Sequence, residues 1–168
     1  MDEEYVYIGK IVNTHGIKGE LRLLSDFKYK DRVFLNGRRI YIGEDHIEEI
    51  IKSYRHHKVF DMITLVGYDN INEVLKYLKQ KVYVKKFDLS LNPNEYLDDD
   101  LLNLRVILDN KEVGTVVGIT NNGAGNRTIE TIINGKRVLI PFHEHFIKNI
   151  DFVNRVIEFS EVEGLLWR

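Results

Sequence analysis

Asn134-Gly135 stands between two strand-like runs, Arg127 to Ile133 and Lys136 to Ile140. The favoured two-residue hairpin turn needs positive φ at both central residues, and Asn-Gly accepts this most readily. The dipeptide therefore commits this stretch to a β-hairpin, and similar punctuation runs through the chain. Glu112 to Ile119 reads as a strand with Val113, Thr115, Val117 and Ile119 on one face. Gly114 and Gly118 share the other face, where they imply a bend, a bulge or a close backbone approach. Val82-Tyr83-Val84-Lys85 alternates as a half-buried strand does. Asn36-Gly37 gives a similar turn signal after Val33-Phe34-Leu35. Short strands cut by turns at this spacing predict barrels or sandwiches.

One helix interrupts the strands. Ile71, Val74, Leu75 and Leu78 form a single apolar stripe at helical spacing. Asn70 is placed to cap it, with Glu73 three residues on as in a capping box. Lys76, Lys79 and Lys81 lie towards its C-terminal end, where the helix dipole favours cations. A second helical turn is expected over His143 to Ile147. Between the halves, residues 87–95 lose periodicity and contain Pro93 between Asn92 and Asn94. Proline fixes its own φ and keeps the preceding residue out of the helical region, which is linker chemistry. The expected architecture is mainly β: two small β-barrel domains, 1–86 and 96–168, joined by the linker 87–95, with one short helix in the first.

Composition narrows the function. Of 168 residues 43 % are hydrophobic, too many for a disordered chain. No run approaches the ~18 apolar residues of a membrane span, and the acidic start Met1-Asp2-Glu3-Glu4 is unlike a signal peptide. With no cysteine there is no disulfide framework, thiolate zinc site or thiol nucleophile, so the reducing cytoplasm is the expected location. The net charge of −2 argues against a simple nucleic-acid coat. That sum hides a division. Residues 1–90 hold 16 Lys/Arg against 14 Asp/Glu, and residues 91–168 hold 8 against 12, giving +2 and −4.

No constellation points to catalysis. His143-Glu144-His145 lacks a third ligand nearby, so a solvated turn is expected there and no metal or cofactor. No serine sits in a nucleophile-elbow context. Asp98-Asp99-Asp100 reads as a solvated run with Asp100 capping a turn. Lys52-Ser53-Tyr54-Arg55-His56-His57-Lys58 is either an exposed hairpin flank or a phosphate-facing patch, since cations with an aromatic suit RNA. His15-Gly16-Ile17-Lys18-Gly19-Glu20 is read as a tight β-connection whose glycines take positive φ. It lacks the phosphate-loop spacing, and His15 and Lys18 are free to point outward.

Several motifs together resemble one family. Ile8-Gly9-Lys10-Ile11-Val12-Asn13-Thr14-His15-Gly16-Ile17-Lys18-Gly19-Glu20-Leu21 is similar to the N-terminal signature of the RimM family of bacterial ribosome maturation factors. Val138-Leu139-Ile140-Pro141-Phe142, then Phe146-Ile147-Lys148 and Ile150-Asp151, resembles the family's PRC-barrel domain. So do Glu112-Val113-Gly114-Thr115-Val116, Gly123-Ala124-Gly125-Asn126 and Glu163-Gly164-Leu165-Leu166. The likeness runs in order over residues 5–166. The chain departs where the family has two adjacent aromatics, here Tyr96-Leu97, and where it has a glycine, here Asn103. Asparagine also accepts positive φ.

The resemblance implies a non-enzymatic assembly factor without a cofactor, a cytoplasmic monomer that does not bind membranes. It would bind the immature small ribosomal subunit and a head ribosomal protein of the S-nineteen family, and assist assembly and processing of 16S rRNA. The PRC barrel would be the main protein-binding part. An acidic second half would steer a basic ribosomal protein. Tyr96, with Leu97 and Leu101, is the expected anchor, rimmed by Asp98, Asp99 and Asp100; the other reading of Tyr96 is packing between the domains. His15, Lys18, Arg22, Lys52 and Arg55 are expected nearest RNA, as are Arg38 and Arg39. One alternative is a general RNA-binding β-barrel acting on rRNA without a protein partner. Another is a metal or redox subunit, because PRC barrels also occur in photosynthetic reaction centres, but no ligand set supports it.

Overall fold

A computed structural model describes residues 4–121 and 126–166. The Gly123 to Gly125 part of the family-like turn lies outside the described residues. The chain divides into two compact units, Met1–Asn94 and Glu95–Arg168.

The strands of the first unit are β1 (Tyr5–His15), β2 (Glu20–Leu24), β3 (Arg39–Ile42), β4 (Ile47–His57), β5 (Phe60–Leu65) and β6 (Lys81–Lys85). They close a barrel in the order β1-β2-β5-β4-β3-β6, every neighbour antiparallel. Alternation decides what faces inward: Ile40 and Ile42, Leu21 and Leu23, Ile63 and Leu65, and Val82 and Val84 are all buried. Ile8 and Ile11 are both buried although three residues apart, because the β1 ladder slips between Tyr7 and Gly9. Gly9 permits this, since a Cβ there would lie 2.8 Å from the Leu24 carbonyl oxygen. Closure pairs each strand on both sides over part of its length, while β4 beyond Ile51 pairs with β5 alone.

Two four-residue helices, α1 (Lys30–Val33) and α2 (Ile71–Val74), are described in this unit, one more than the sequence pattern predicts. Asn70 does cap α2, accepting from the Glu73 backbone N–H at 3.3 Å. The expected longer stripe fails after Val74. Residues Leu75–Tyr77 tighten into a 3-10 turn, Lys79 takes φ +68°, and Leu75 is 45 % exposed while Tyr77 is buried. The Tyr77 hydroxyl bonds Glu49, as does Tyr68 at 2.6 Å, and this rotates the turn away from the stripe. Val33-Phe34-Leu35 ends a helix rather than a strand. Asn36-Gly37 forms a turn closed by Arg38 N–H on Leu35 (3.1 Å), with positive φ at Gly37.

The second unit contains β7 (Arg105–Leu108), β8 (Lys111–Asn121), β9 (Arg127–Ile133), β10 (Lys136–Pro141), β11 (Ile147–Asp151), β12 (Val156–Phe159) and α3 (Glu163–Leu166). They form a six-stranded sheet in the order β10-β9-β8-β7-β12-β11. Its edge strands β10 and β11 are consecutive in the chain. A flat sheet would hold them about 24 Å apart, and the link from Pro141 to Ile147 spans at most about 22 Å. The sheet is therefore curled about one core, which includes Val106, Val116, Ile129, Ile140, Ile157 and Phe159.

Asn134 and Gly135 both take positive φ and join β9 to β10, as their pairing predicts. The expected face of β8 is corrected. Val116 is buried and Val117 is 47 % exposed, while Val113 and Ile119 pack on the core. Bulges opposite Val106/Ile107 and between Val116 and Gly118 shift the alternation twice. Residues 143–147 make a single turn closed by Phe146 and Ile147 N–H on the His143 carbonyl. This is the expected helical turn, and it stops there because Ile147 already begins β11.

Candidate functional site

The β1–β2 connection is set by its glycines, Gly16 at φ +68° and Gly19 at φ +90°. It is docked rather than loose. The Ile17 carbonyl accepts from Ile71 N–H at 2.9 Å, and a Cβ on Gly19 would lie 3.3 Å from the Asn70 carbonyl oxygen. Beside it the β4–β5 hairpin turns at Lys58, also at positive φ. The His15 and His57 rings, one from each hairpin, are 6.0 Å apart.

Cross-strand register assembles the cations. Met62 pairs with Arg22 on one side and Arg55 on the other, so both arginines share the outer face. Arg22 Nη2 donates to His15 Nδ1 at 2.6 Å, and its guanidinium lies 5.4 Å from the Phe60 ring centroid. Arg55 grips Glu20 with two bonds of 2.8 Å. Those bonds hold the Glu20 carboxyl below the usual range. Desolvation, then Arg55, Lys58, His15 and Arg22, push the His57 imidazole below its ordinary value.

Of the residues expected near RNA, His15, Arg22 and Arg55 are brought together, and Lys18 is exposed on the adjoining tip. Lys52 is exposed but stands apart, as the extra residue of a bulge between Ile51 and Ser53. Phe60 was not legible in this role; the only signal was its pairing with His57 across a two-residue turn.

His56 turns the other way. Asp61 is fully buried and accepts from Lys30 Nζ (2.8 Å), the Tyr54 hydroxyl (2.6 Å) and His56 Nδ1 (3.3 Å). Burial alone would raise the Asp61 pKa, but these three bonds outweigh it and hold it below the usual range. Burial and the Asp61 bond push the Tyr54 phenol up to about 12. This cluster braces the hairpin beneath the basic face.

In the second unit the expected anchor is corrected. Leu101 has no exposed surface and Leu97 is 8 % exposed. Asp98–Leu101 forms a 3-10 turn that drops Leu101 into the core. Asp100 is committed locally, accepting from the Leu97 backbone N–H at 2.8 Å. Tyr96 is half-buried and keeps an accessible part. Its ring centroid lies 5.4 Å from that of Phe152 and 6.5 Å from that of Phe142. Arg127 covers Phe142 at 4.1 Å and pairs with Asp98. Next to Phe152, Val153 is 91 % exposed. The Asp151 carboxylate holds that turn, accepting from Val153 N–H and Asn154 N–H at 3.0 Å each. Among the described residues no cluster of His, Asp or Glu is arranged to hold a metal ion. No described helix is long and apolar enough to cross a membrane.

Residues 6–89 match the RimM N-terminal domain, and residues 98–165 match the RimM PRC barrel domain. The ribosome maturation factor RimM of Staphylococcus haemolyticus is 36 % identical over 166 residues, 96 % of this chain and 98 % of that one. The Bacillus mycoides protein of the same name is 32 % identical, covering 95 % and 96 %. The solution structure of the N-terminal domain of RimM from Thermus thermophilus is 23 % identical, covers 55 % of this chain and 99 % of that one, and has a TM-score of 0.45.

Proposed function

The chain belongs to the RimM family, and from that premise we propose that it is a ribosome maturation factor of the small subunit. The observation that carries the proposal is the match of both halves, in order, to proteins named as such factors rather than as enzymes. In this reading the chain acts by binding. The second unit grips a basic head protein of the S-nineteen family and the first unit lies against 16S rRNA, with assembly and processing of that RNA as the outcome.

The two interfaces follow from the side chains. Arg22, Arg55, Lys18 and Lys58 lie around the two hairpin tips, the β1–β2 tip docked on Asn70 and Ile71, and form a cationic surface suited to phosphates. Ile17 and Val59, 77 % and 68 % exposed on those tips, add apolar contact. In the second unit Tyr96 and the protruding Val153 replace Leu97 and Leu101 as the protein anchor. They combine an aromatic rim with one exposed aliphatic side chain. Asp98, Asp99 and the −4 balance of residues 91–168 supply complementary charge for a basic partner.

The test is a pull-down of the tagged chain from cell lysate, with bound rRNA and ribosomal proteins quantified. Immature small subunits enriched in the head protein support the reading, and recovery of neither overturns it. A gel shift on naked head-domain rRNA, with and without that protein, separates protein-led from RNA-led recruitment. Tight binding to RNA alone would favour direct action on rRNA.

A further inference from the structure

The outer face of β1, β6 and β3 carries an aromatic array apart from the hairpin-tip surface. Register places Tyr7 opposite Tyr83, and Tyr83 opposite Tyr41, so three tyrosines form one row across three strands. Val82, Val84, Ile40 and Ile42 already fill the inward positions of those strands, so the barrel core does not need these rings. Two more rings join them. Tyr5 stacks on His46 with centroids 3.9 Å apart and planes within 8°, and His46 meets Tyr83 edge-on at 4.9 Å. Cations are interleaved: Lys81 lies 5.9 Å from the Tyr7 centroid and Lys85 lies 5.1 Å from that of Tyr41.

We propose that this face is a stacking platform for single-stranded RNA, with Tyr7 and Tyr83 receiving bases and Lys81 and Lys85 meeting the flanking phosphates. Tyrosine faces bind any base, and alternating lysines track a backbone, which is the chemistry of sequence-tolerant single-strand binding. A duplex hides its base faces and would not fit. Exposure argues against a purely structural row. Tyr41 is sealed at 4 %, but Tyr7 at the other end is 47 % exposed, so the array opens to solvent. Of the nearby carboxylates, Glu48 pairs with Arg39 and accepts from Tyr41, Glu4 pairs with Lys86, and Asp26 lies close enough to act on the Tyr7 phenol. Desolvation, then Asp26 and Tyr83, raise the Tyr7 phenol pKa, so it stays neutral beside a phosphate. Tyr7 lies eight positions before His15 on β1, about 25 Å away, so this face is distinct from the hairpin-tip surface. The inference does not rest on recruitment by a ribosomal protein.

The experiment is fluorescence anisotropy of the full chain with a short labelled oligoadenylate, against RNA duplex and heparin as competitors. The oligonucleotide should bind, and Tyr7→Leu should weaken it about 5- to 150-fold, the cost of one lost base stack. Tyr7→Phe should stay near wild type. Lys81→Gln should flatten the log–log salt slope by about 0.7. Tyr7 and Tyr83 ring-proton signals of the wild type should move on titration, a readout that needs no variant. No oligonucleotide binding, duplex binding of equal strength, stationary ring signals, or a Tyr7→Leu protein that binds like wild type would each overturn the platform. Tyr7-dependent binding of a ribosomal protein without RNA binding would overturn it in favour of protein docking.

Discussion

Replacing Gly114 by alanine probes the second unit at its tightest backbone approach. A Cβ on Gly114 would lie 1.8 Å from the Ile132 carbonyl oxygen, 2.8 Å from the Ile132 carbonyl carbon and 3.0 Å from Ile133 Cα. A tolerable C···O contact is about 3.3 Å, so one strand must retreat by about 1.5 Å. All three neighbours are backbone atoms, and no rotamer change relieves the clash. Retreat of β9 would drag Ile129 and Ile133 out of the core. Overpacking costs typically 1–3 kcal/mol, and a clash confined to backbone belongs at the upper end, about 3 kcal/mol. For a domain of this size each 1 kcal/mol lowers Tm by about 4–8 °C. The expected fall in the transition of the second unit is therefore about 12–24 °C, read by calorimetry on the full chain. Amide exchange should show protection lost in β8 and β9 and kept in β1 to β6. Gly118→Ala is the control in the same strand, because its Cβ would come no closer than 3.5 Å to the flexible Glu130 side chain. A Gly114→Ala shift below about 4 °C, or one equal to that of Gly118→Ala, would refute the close-approach reasoning.

Four further outcomes are expected. Asp61 binds its proton less readily folded than unfolded, so its contribution is full above the ordinary Asp range near pH 4 and lost as acid protonates the folded carboxyl. Asp61→Asn should cost about 1.5–3 kcal/mol at pH 7, since bonds to charged groups are lost, and should flatten the acid limb of denaturant melts of the first unit. Asn103 sits at φ +68°, where a Cβ without a compensating side-chain bond costs about 1–2 kcal/mol; Asn103→Ala should destabilise the second unit by that order in urea titration, and Asn103→Gly should not. Arg22→Gln should weaken binding to head-domain rRNA uniformly across sequences and reduce the salt slope by about 1, while Val153→Asp should weaken head-protein affinity in calorimetry and leave RNA binding unchanged.

Local chemistry was readable without the fold. Asn134-Gly135, Gly16 and Gly19 take positive φ, as residues that accept it readily do in tight turns. Asn103 keeps the left-handed turn where the family has glycine, for the same steric reason. Gly114 and Gly118 both read as a bend, a bulge or a close approach; Gly114 is a close approach and Gly118 is not. What failed were inferences that extended a period. The β8 face was misassigned because each bulge shifts the alternation by one residue. The α2 stripe broke because Tyr77 found a carboxylate partner and the turn tightened. Leu97 and Leu101 read as a surface anchor because an acidic run lies between them, yet a 3-10 turn sends that run outward and both leucines inward.

The sequence by itself determined the β character, the Asn134-Gly135 hairpin, the family and the division of charge between the halves. These rest on residues within a few positions of one another, or on motifs that keep their order along the chain. Tertiary structure alone decided which side chains meet. Arg22 and Arg55 flank Met62, and Tyr7, Tyr41 and Tyr83 share one row, because ladder register and barrel closure bring distant segments to a common level. No local pattern encodes those meetings, since each depends on the packing of the whole barrel.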